Sequence, residues 1–83
     1  MIAIKAARKF IEANPDDEGA KVLADLVLAL AGETPFNLEA LYSLGSKHFE
    51  LAIEILSEWR LDRYYMGKAK LFDISLQLKQ LNP

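Results

Sequence analysis

The segment VLADLVLALA, residues 22–31, constrains the fold of this chain more than any other part of the sequence. Asp25 alone interrupts its apolar residues, so a helix formed here is apolar almost all the way round. Such a helix is stable only where other elements surround it. The chain has 83 residues, and its one stretch of alternating apolar and polar residues, 74–78, also fits a helix. We therefore predict a single small all-α domain over residues 1–83, a compact bundle of four to five helices.

Glycine, proline and asparagine divide the chain into five predicted helical segments, at about residues 3–13, 18–31, 38–44, 47–65 and 68–81. Asn14 ends the first helix, because a residue before proline disfavours the α conformation. Asp16 or Asp17 is expected to cap the amino end of the second helix. Gly32 is expected at the left-handed position that follows it. The second and fourth predicted helices should form the centre of the bundle.

The boundaries of the last three segments depend on single polar or glycine residues. Asn37 is the predicted N-cap of the third helix, with Thr34 and Pro35 as a competing start. Ser46 is the predicted N-cap of the fourth helix. Gly67 is expected to break or bend the chain between the fourth and fifth helices.

The residues needed for common catalytic and metal sites are scarce in this chain. It has no cysteine, which excludes disulfides, thiol nucleophiles and cysteine metal sites. Its one histidine, His48, falls in the first turn after Ser46 and is expected to face solvent, so it makes a poor catalytic base. The four glycines are isolated, and neither an HExxH motif nor an EF-hand loop occurs. We predict no catalytic residues, no cofactor and no metal site, and hence a protein that is not an enzyme.

The net charge of −2 argues against a general binder of nucleic acids or membrane surfaces. The longest uninterrupted apolar run, residues 26–31, is too short to span a bilayer. The first five residues lack the basic start and apolar run of a signal peptide. We therefore predict a cytoplasmic protein whose partner is not a membrane.

The fourth predicted helix carries a conflict between its helical pattern and its charges. Its carboxylates recur every four residues and are expected to form a solvated outer face: Glu50, Glu54, Glu58 and Asp62. Arg60 and Arg63 fall inside the apolar arc of the helical wheel instead. An unpaired inward position is excluded, because burying a lone guanidinium costs several kcal/mol.

Three outcomes are open for these two arginines. Their stems could cover apolar surface while the guanidinium groups reach water. They could cap carbonyl groups or pair with a carboxylate, for example in the acidic group at residues 16–18. They could also line a groove that awaits an anionic partner.

Basic and aromatic residues gather around the end of the same helix. We predict a partner-binding patch of seven residues: Trp59, Arg60, Arg63, Tyr64, Tyr65, Lys68 and Lys70. Trp, Tyr and Arg are enriched in the energetic hot spots of protein–protein interfaces. The predicted function is a small non-enzymatic protein–protein interaction module, acting as a homo-oligomer, an adaptor or a regulatory accessory protein.

Two further expectations concern the partners of this chain. The last predicted helix has more apolar positions than one core-facing stripe needs, which predicts a homodimer through that helix: Leu71, Phe72, Ile74, Leu76, Leu78 and Leu81. The alternative function is weak nucleic-acid binding by a helix-turn-helix-like arrangement over residues 38–59, with Gly45 in its turn and the patch contacting phosphates and bases. Outward glutamates on the second of these helices disfavour that alternative, since they repel phosphates.

Overall fold

The chain is mainly α-helical in a computed structural model that describes residues 2–61 and 66–81. The elements are α1 (Ile2–Ala13), α2 (Glu18–Gly32), a 3-10 helix (Leu38–Ser43), α3 (Ser46–Leu61) and α4 (Met66–Leu81). No strand occurs within the described ranges. The predicted all-α bundle of four to five helices is confirmed. None of the helices in the described part of the chain is long and apolar enough to cross a membrane.

The core of the bundle lies between α1, α2 and α4. Helix α4 packs most extensively against α2 and next against α1, whereas α3 lies mainly against α1. The predicted central place of the fourth helix, α3, is therefore wrong. Helix α4 takes that place because Leu71, Ser75 and Leu78, three to four residues apart on one face, are all buried. Helix α2 is enclosed as its sequence predicted, since none of residues 19–30 is exposed.

Two predicted N-caps are confirmed. Asp17 caps α2, and its Oδ1 accepts a hydrogen bond from the backbone N–H of Gly19 at 2.7 Å. Asn37 caps the 3-10 helix, and its Oδ1 accepts from the backbone N–H of Glu39 at 3.1 Å. Each side-chain oxygen satisfies an N–H that has no partner inside its own helix.

The expected end of α2 is wrong by one residue. Gly32 belongs to the helix, and the residue in the left-handed conformation is Glu33, with φ 55° and ψ 41°. The backbone N–H of Glu33 donates to the carbonyl of Ala29, which closes the last turn. The sequence predicted Gly32 at the left-handed position, which is one residue before the residue that adopts it.

Two boundaries of α3 and α4 also differ from their predictions. Ser46 is the first residue of α3 rather than its N-cap, because the carbonyl of Gly45 already accepts from the N–H of Phe49 at 2.9 Å. Gly67 does not break the chain but lies in the first turn of α4. The conformational cost of glycine applies mainly to the middle of a helix, so Gly67 is tolerated in the first turn.

Candidate functional site

Lys68 is the one charged residue that is buried in the described part of the chain. It lies in the first turn of α4, yet only 8% of its surface is exposed. Its Nζ donates to the backbone carbonyl of Trp59 at 2.8 Å and lies 5.0 Å from the centre of the Trp59 ring. Trp59 is in the last turn of α3, where carbonyl groups lack partners within the helix and the dipole favours a cation. The lysine therefore ties the start of α4 to the end of α3.

A cleft opens beside this lysine, where the ends of α2 and α3 meet the start of α4. Its volume is about 670 Å³, which is within the range of known ligand pockets. We call it the basic cleft, and it is lined by Leu30, Ala31, Glu33, Trp59, Arg60, Lys68, Ala69 and Phe72. Its walls thus combine two aromatic rings and short aliphatic side chains with three charged groups.

The charges of the basic cleft are only partly balanced. An ammonium group has three N–H donors, and one of those of Lys68 is used by the Trp59 carbonyl. Within the described residues, neither Lys68 nor Arg60 forms an ion pair. Glu33 is the one carboxylate among the described lining residues, and it is exposed. The cleft therefore retains hydrogen-bond donors and positive charge that an anionic group could use.

The structure brings together three of the seven predicted patch residues. Trp59, Arg60 and Lys68 line the basic cleft. Lys70 is exposed and does not, because two residues along α4 turn the side chain by about 200° from Lys68. The remaining three, Arg63, Tyr64 and Tyr65, lie outside the described residues.

The position of Arg60 agrees with two of the three predicted outcomes, since it reaches water and also lines the basic cleft, a groove that an anionic partner could enter. It is exposed, so its guanidinium group reaches water at the rim of the basic cleft. The helical wheel misplaced it because the buried face of α3 is centred on Ala52 and Ile55. That face extends toward Glu58, which is half-buried, and away from Arg60. Arg63 lies beyond the described ranges.

Glu58 does not belong to the solvated row in which its spacing placed it. Glu50 and Glu54 are exposed as predicted, but Glu58 is half-buried. Its Oε2 accepts from the backbone N–H of Ala3 at 2.8 Å and its Oε1 from that of Ile4 at 3.1 Å. These N–H groups belong to the first turn of α1, whose positive dipole end favours a carboxylate. Glu58 therefore caps α1 from another helix; Asp62 lies outside the described residues.

His48 is half-buried, so its predicted exposure is wrong. Its ring lies 4.4 Å from that of Phe10, centre to centre, because α1 packs beside the start of α3. The same ring lies close to Gly19, where an added Cβ would come within 3.3 Å of Nδ1. Across the described chain, no three His, Asp or Glu side chains are grouped closely enough to hold a metal ion.

Sequence reasoning missed the part of the site that α2 contributes. Leu30, Ala31 and Glu33 line the basic cleft, although they lie about thirty residues before its cations. The sequence marks the end of α2 through its glycine and proline residues, but it does not indicate which other helix ends lie beside it.

Comparison with known proteins found no relative of this chain. The chain matches no protein-family model, no curated protein and no solved structure.

Proposed function

We propose that this chain is a non-enzymatic protein–protein interaction module that binds an acidic segment of a partner protein in the basic cleft. The observation that carries this proposal is the position of Lys68. A lysine is almost never buried without a partner for its charge. Here the ammonium has one backbone carbonyl, one aromatic face and no carboxylate among the described residues. A partner's carboxylate would complete its hydrogen bonding.

The walls of the cleft favour a peptide segment as the ligand. Trp59 and Phe72 are half-buried and lie beside Leu30, so each can gain contact area when covered. Aromatic side chains next to an arginine are the residues that contribute most energy in protein–protein interfaces. We therefore expect a partner segment that combines acidic with apolar side chains.

The nucleic-acid alternative has less support from the same surfaces. Its would-be recognition helix, α3, exposes Glu50 and Glu54, which repel phosphates. The helix before it is a 3-10 helix of six residues rather than an α-helix. Titration with duplex and single-stranded oligonucleotides at about 50 mM salt tests this alternative, because phosphate contacts are strongest at low salt.

The affinity that one glutamate carboxylate should contribute follows from the energy of its hydrogen bond. A hydrogen bond to a charged group contributes about 1.5–3 kcal/mol, which corresponds to at least about a tenfold change in affinity. A peptide in which glutamine replaces glutamate should therefore bind about tenfold more weakly or not at all.

The fluorescence of Trp59 provides the assay, because it is the only tryptophan in the chain and lines the cleft. The probe is a short acetylated peptide in which glutamate alternates with leucine, compared with its glutamine counterpart. We expect a saturable change with the acidic peptide only. Equal responses to both peptides, or no response to either, would contradict the proposal.

Matched variants locate the binding surface. Arg60→Gln and Lys68→Gln should each weaken binding of the acidic peptide by about tenfold. Lys70→Gln is the control, since it removes the same charge from the exposed position outside the cleft. Circular dichroism checks that Lys68→Gln keeps its helices. Equal losses in Arg60→Gln and Lys70→Gln would mean diffuse attraction to positive charge instead of a site.

The proposal includes an adaptor or accessory role in the cytoplasm. A chain without cysteine does not depend on disulfides, so it suits a reducing compartment. Imaging of the tagged protein in intact cells tests the location independently of peptide binding.

A further inference from the structure

Helix α3 has an apolar stripe that the rest of the bundle does not cover fully. Phe49, Ile53 and Leu56 follow one another at spacings of four and three residues, and Arg60 continues the pattern. Ile53 is 44% exposed, and Phe49 and Leu56 are half-buried. We call these four residues the α3 stripe. Their spacing is that of the contact positions in paired helices.

An aromatic contact widens the stripe at its amino end. Tyr42, in the 3-10 helix, is 78% exposed, and its ring stacks on that of Phe49 with 6.3 Å between the ring centres. An exposed tyrosine stacked on a half-buried phenylalanine suits a contact surface, because its ring covers a large area with few rotatable bonds.

The two ends of the stripe carry opposite charges. Glu50 lies next to Phe49 at the amino end, and Arg60 lies at the carboxyl end, about 15 Å further along the helix. Both are exposed, and within the described ranges neither forms an ion pair. A surface with one charge at each end and an apolar middle is complementary to itself when turned end over end.

We propose that α3 binds α3 of a second copy of this chain in antiparallel orientation, with a two-fold axis passing between Glu54 and Ile55. This register places Ile53 against Leu56 of the second copy. It also places Phe49 against the second copy's Arg60, and that guanidinium group next to Glu50. A parallel pair would instead bring Glu50 against Glu50 and Arg60 against Arg60, which repel.

The α3 stripe suits self-association better than the last helix does. Four of the six apolar residues predicted as a surplus on α4 pack in or against the core, since Leu71 and Leu78 are buried and Phe72 and Ile74 are half-buried against it. Leu76 and Leu81 remain exposed, at 39% and 74%. They lie about 140° apart around the helix, so they do not form one face.

Charge exchange at Glu50 and Arg60 tests the proposed dimer. Sedimentation equilibrium of the wild type should show a dimer that forms as concentration rises through the micromolar to millimolar range. Glu50→Arg and Arg60→Glu each bring like charges together and should weaken the dimer by about tenfold or more. The double variant should restore the wild-type affinity, because the opposite charges face each other again.

Apolar variants provide the second part of the test. Ile53→Asp, at an exposed position, should leave the chain monomeric, and Leu81→Asp on α4 should leave the dimer unchanged. A monomeric wild type at all concentrations, or no recovery in the double variant, overturns the proposal. Dissociation by Leu81→Asp but not by Ile53→Asp would place the contact on α4 instead.

The dimer goes beyond the proposed function and can fail separately from it. Arg60 borders both surfaces, whereas Ile53 does not line the basic cleft. Peptide titrations made with Ile53→Asp therefore report the cleft alone. Peptide binding without a dimer would overturn only the α3 pairing, and a dimer without peptide binding would overturn only the proposed function.

Discussion

Removal of the Glu58 side chain should destabilise the protein, because Glu58 caps the first turn of α1, which lies about fifty-five residues earlier in the sequence. The Glu58 carboxylate accepts from the backbone N–H groups of Ala3 and Ile4, at 2.8 and 3.1 Å. Both residues belong to the core, with exposures of 1% and 0%, so their N–H groups have little access to water once the carboxylate is gone. Glu58→Ala therefore leaves two donors at the start of α1 without an acceptor.

The size of the effect follows from these contacts. Loss of an N-cap side chain costs about 0.5–2 kcal/mol, and a carboxylate at the positive end of a helix contributes about 0.3–1 kcal/mol more. Since Glu58 makes two hydrogen bonds, we expect Glu58→Ala to lower the free energy of unfolding by about 2 kcal/mol. For a chain of this length, that corresponds to a melting temperature about 10 °C lower. Glu58→Gln keeps one acceptor oxygen and should lose about 1 kcal/mol.

Thermal and urea unfolding followed by circular dichroism measure these changes. Glu54→Ala is the matched control, because it makes the same substitution one turn earlier on α3 at an exposed position. It should alter the free energy of unfolding by less than about 0.5 kcal/mol. If Glu58→Ala and Glu54→Ala prove equally stable, α1 is not capped by α3, and the packing of α1 against α3 must be reconsidered.

Three further substitutions test local features by the same unfolding measurements. Ser75→Ala should raise the free energy of unfolding by about 1 kcal/mol, because the buried Ser75 hydroxyl has no hydrogen-bond partner among the described residues. The control, Ser57→Ala at an exposed position, should change it far less. A loss of stability in Ser75→Ala would contradict this. Glu33→Gly should stabilise the chain by about 0.5–1 kcal/mol, since glycine adopts the left-handed conformation without strain, and an unchanged stability would mean that the turn is not formed. Gly19→Ala should not gain the roughly 1 kcal/mol that alanine usually adds to a helix, because its Cβ would lie 2.9 Å from Oδ1 of Asp17 and displace the cap; a gain of that size would refute this contact.

The candidate site could be predicted from sequence only in part. Trp59, Arg60 and Lys68 were identified because aromatic and basic residues are unusual together in an acidic chain. Lys70, which the sequence groups with them, does not line the basic cleft, because closeness in sequence does not place two residues on the same side of a helix.

Single-helix patterns were least reliable where a residue interacts with another helix. Glu58 has the spacing of a solvated row, yet it is half-buried at the start of α1. Arg60 has the spacing of a core residue, yet it is exposed. A helical wheel finds the apolar side of a helix, but the direction from which neighbours approach decides which edge of that side is covered.

The sequence by itself determined the helical class of this protein and most of its element boundaries. Local interactions are responsible, since Asp17 and Asn37 each cap a helix through N–H groups two residues away. The enclosed position of α2 was also determined locally, because residues 22–31 offer almost no polar face to solvent.

Only the tertiary structure decided which helix ends meet, and this created the candidate site. The contact of Lys68 with Trp59 and the position of Glu33 beside them depend on how α2, α3 and α4 pack together. Such packing is set by side chains far apart in sequence, whose contacts form together and are not encoded in any one segment. The basic cleft is therefore a property of the folded bundle, although three of its residues were already conspicuous in the sequence.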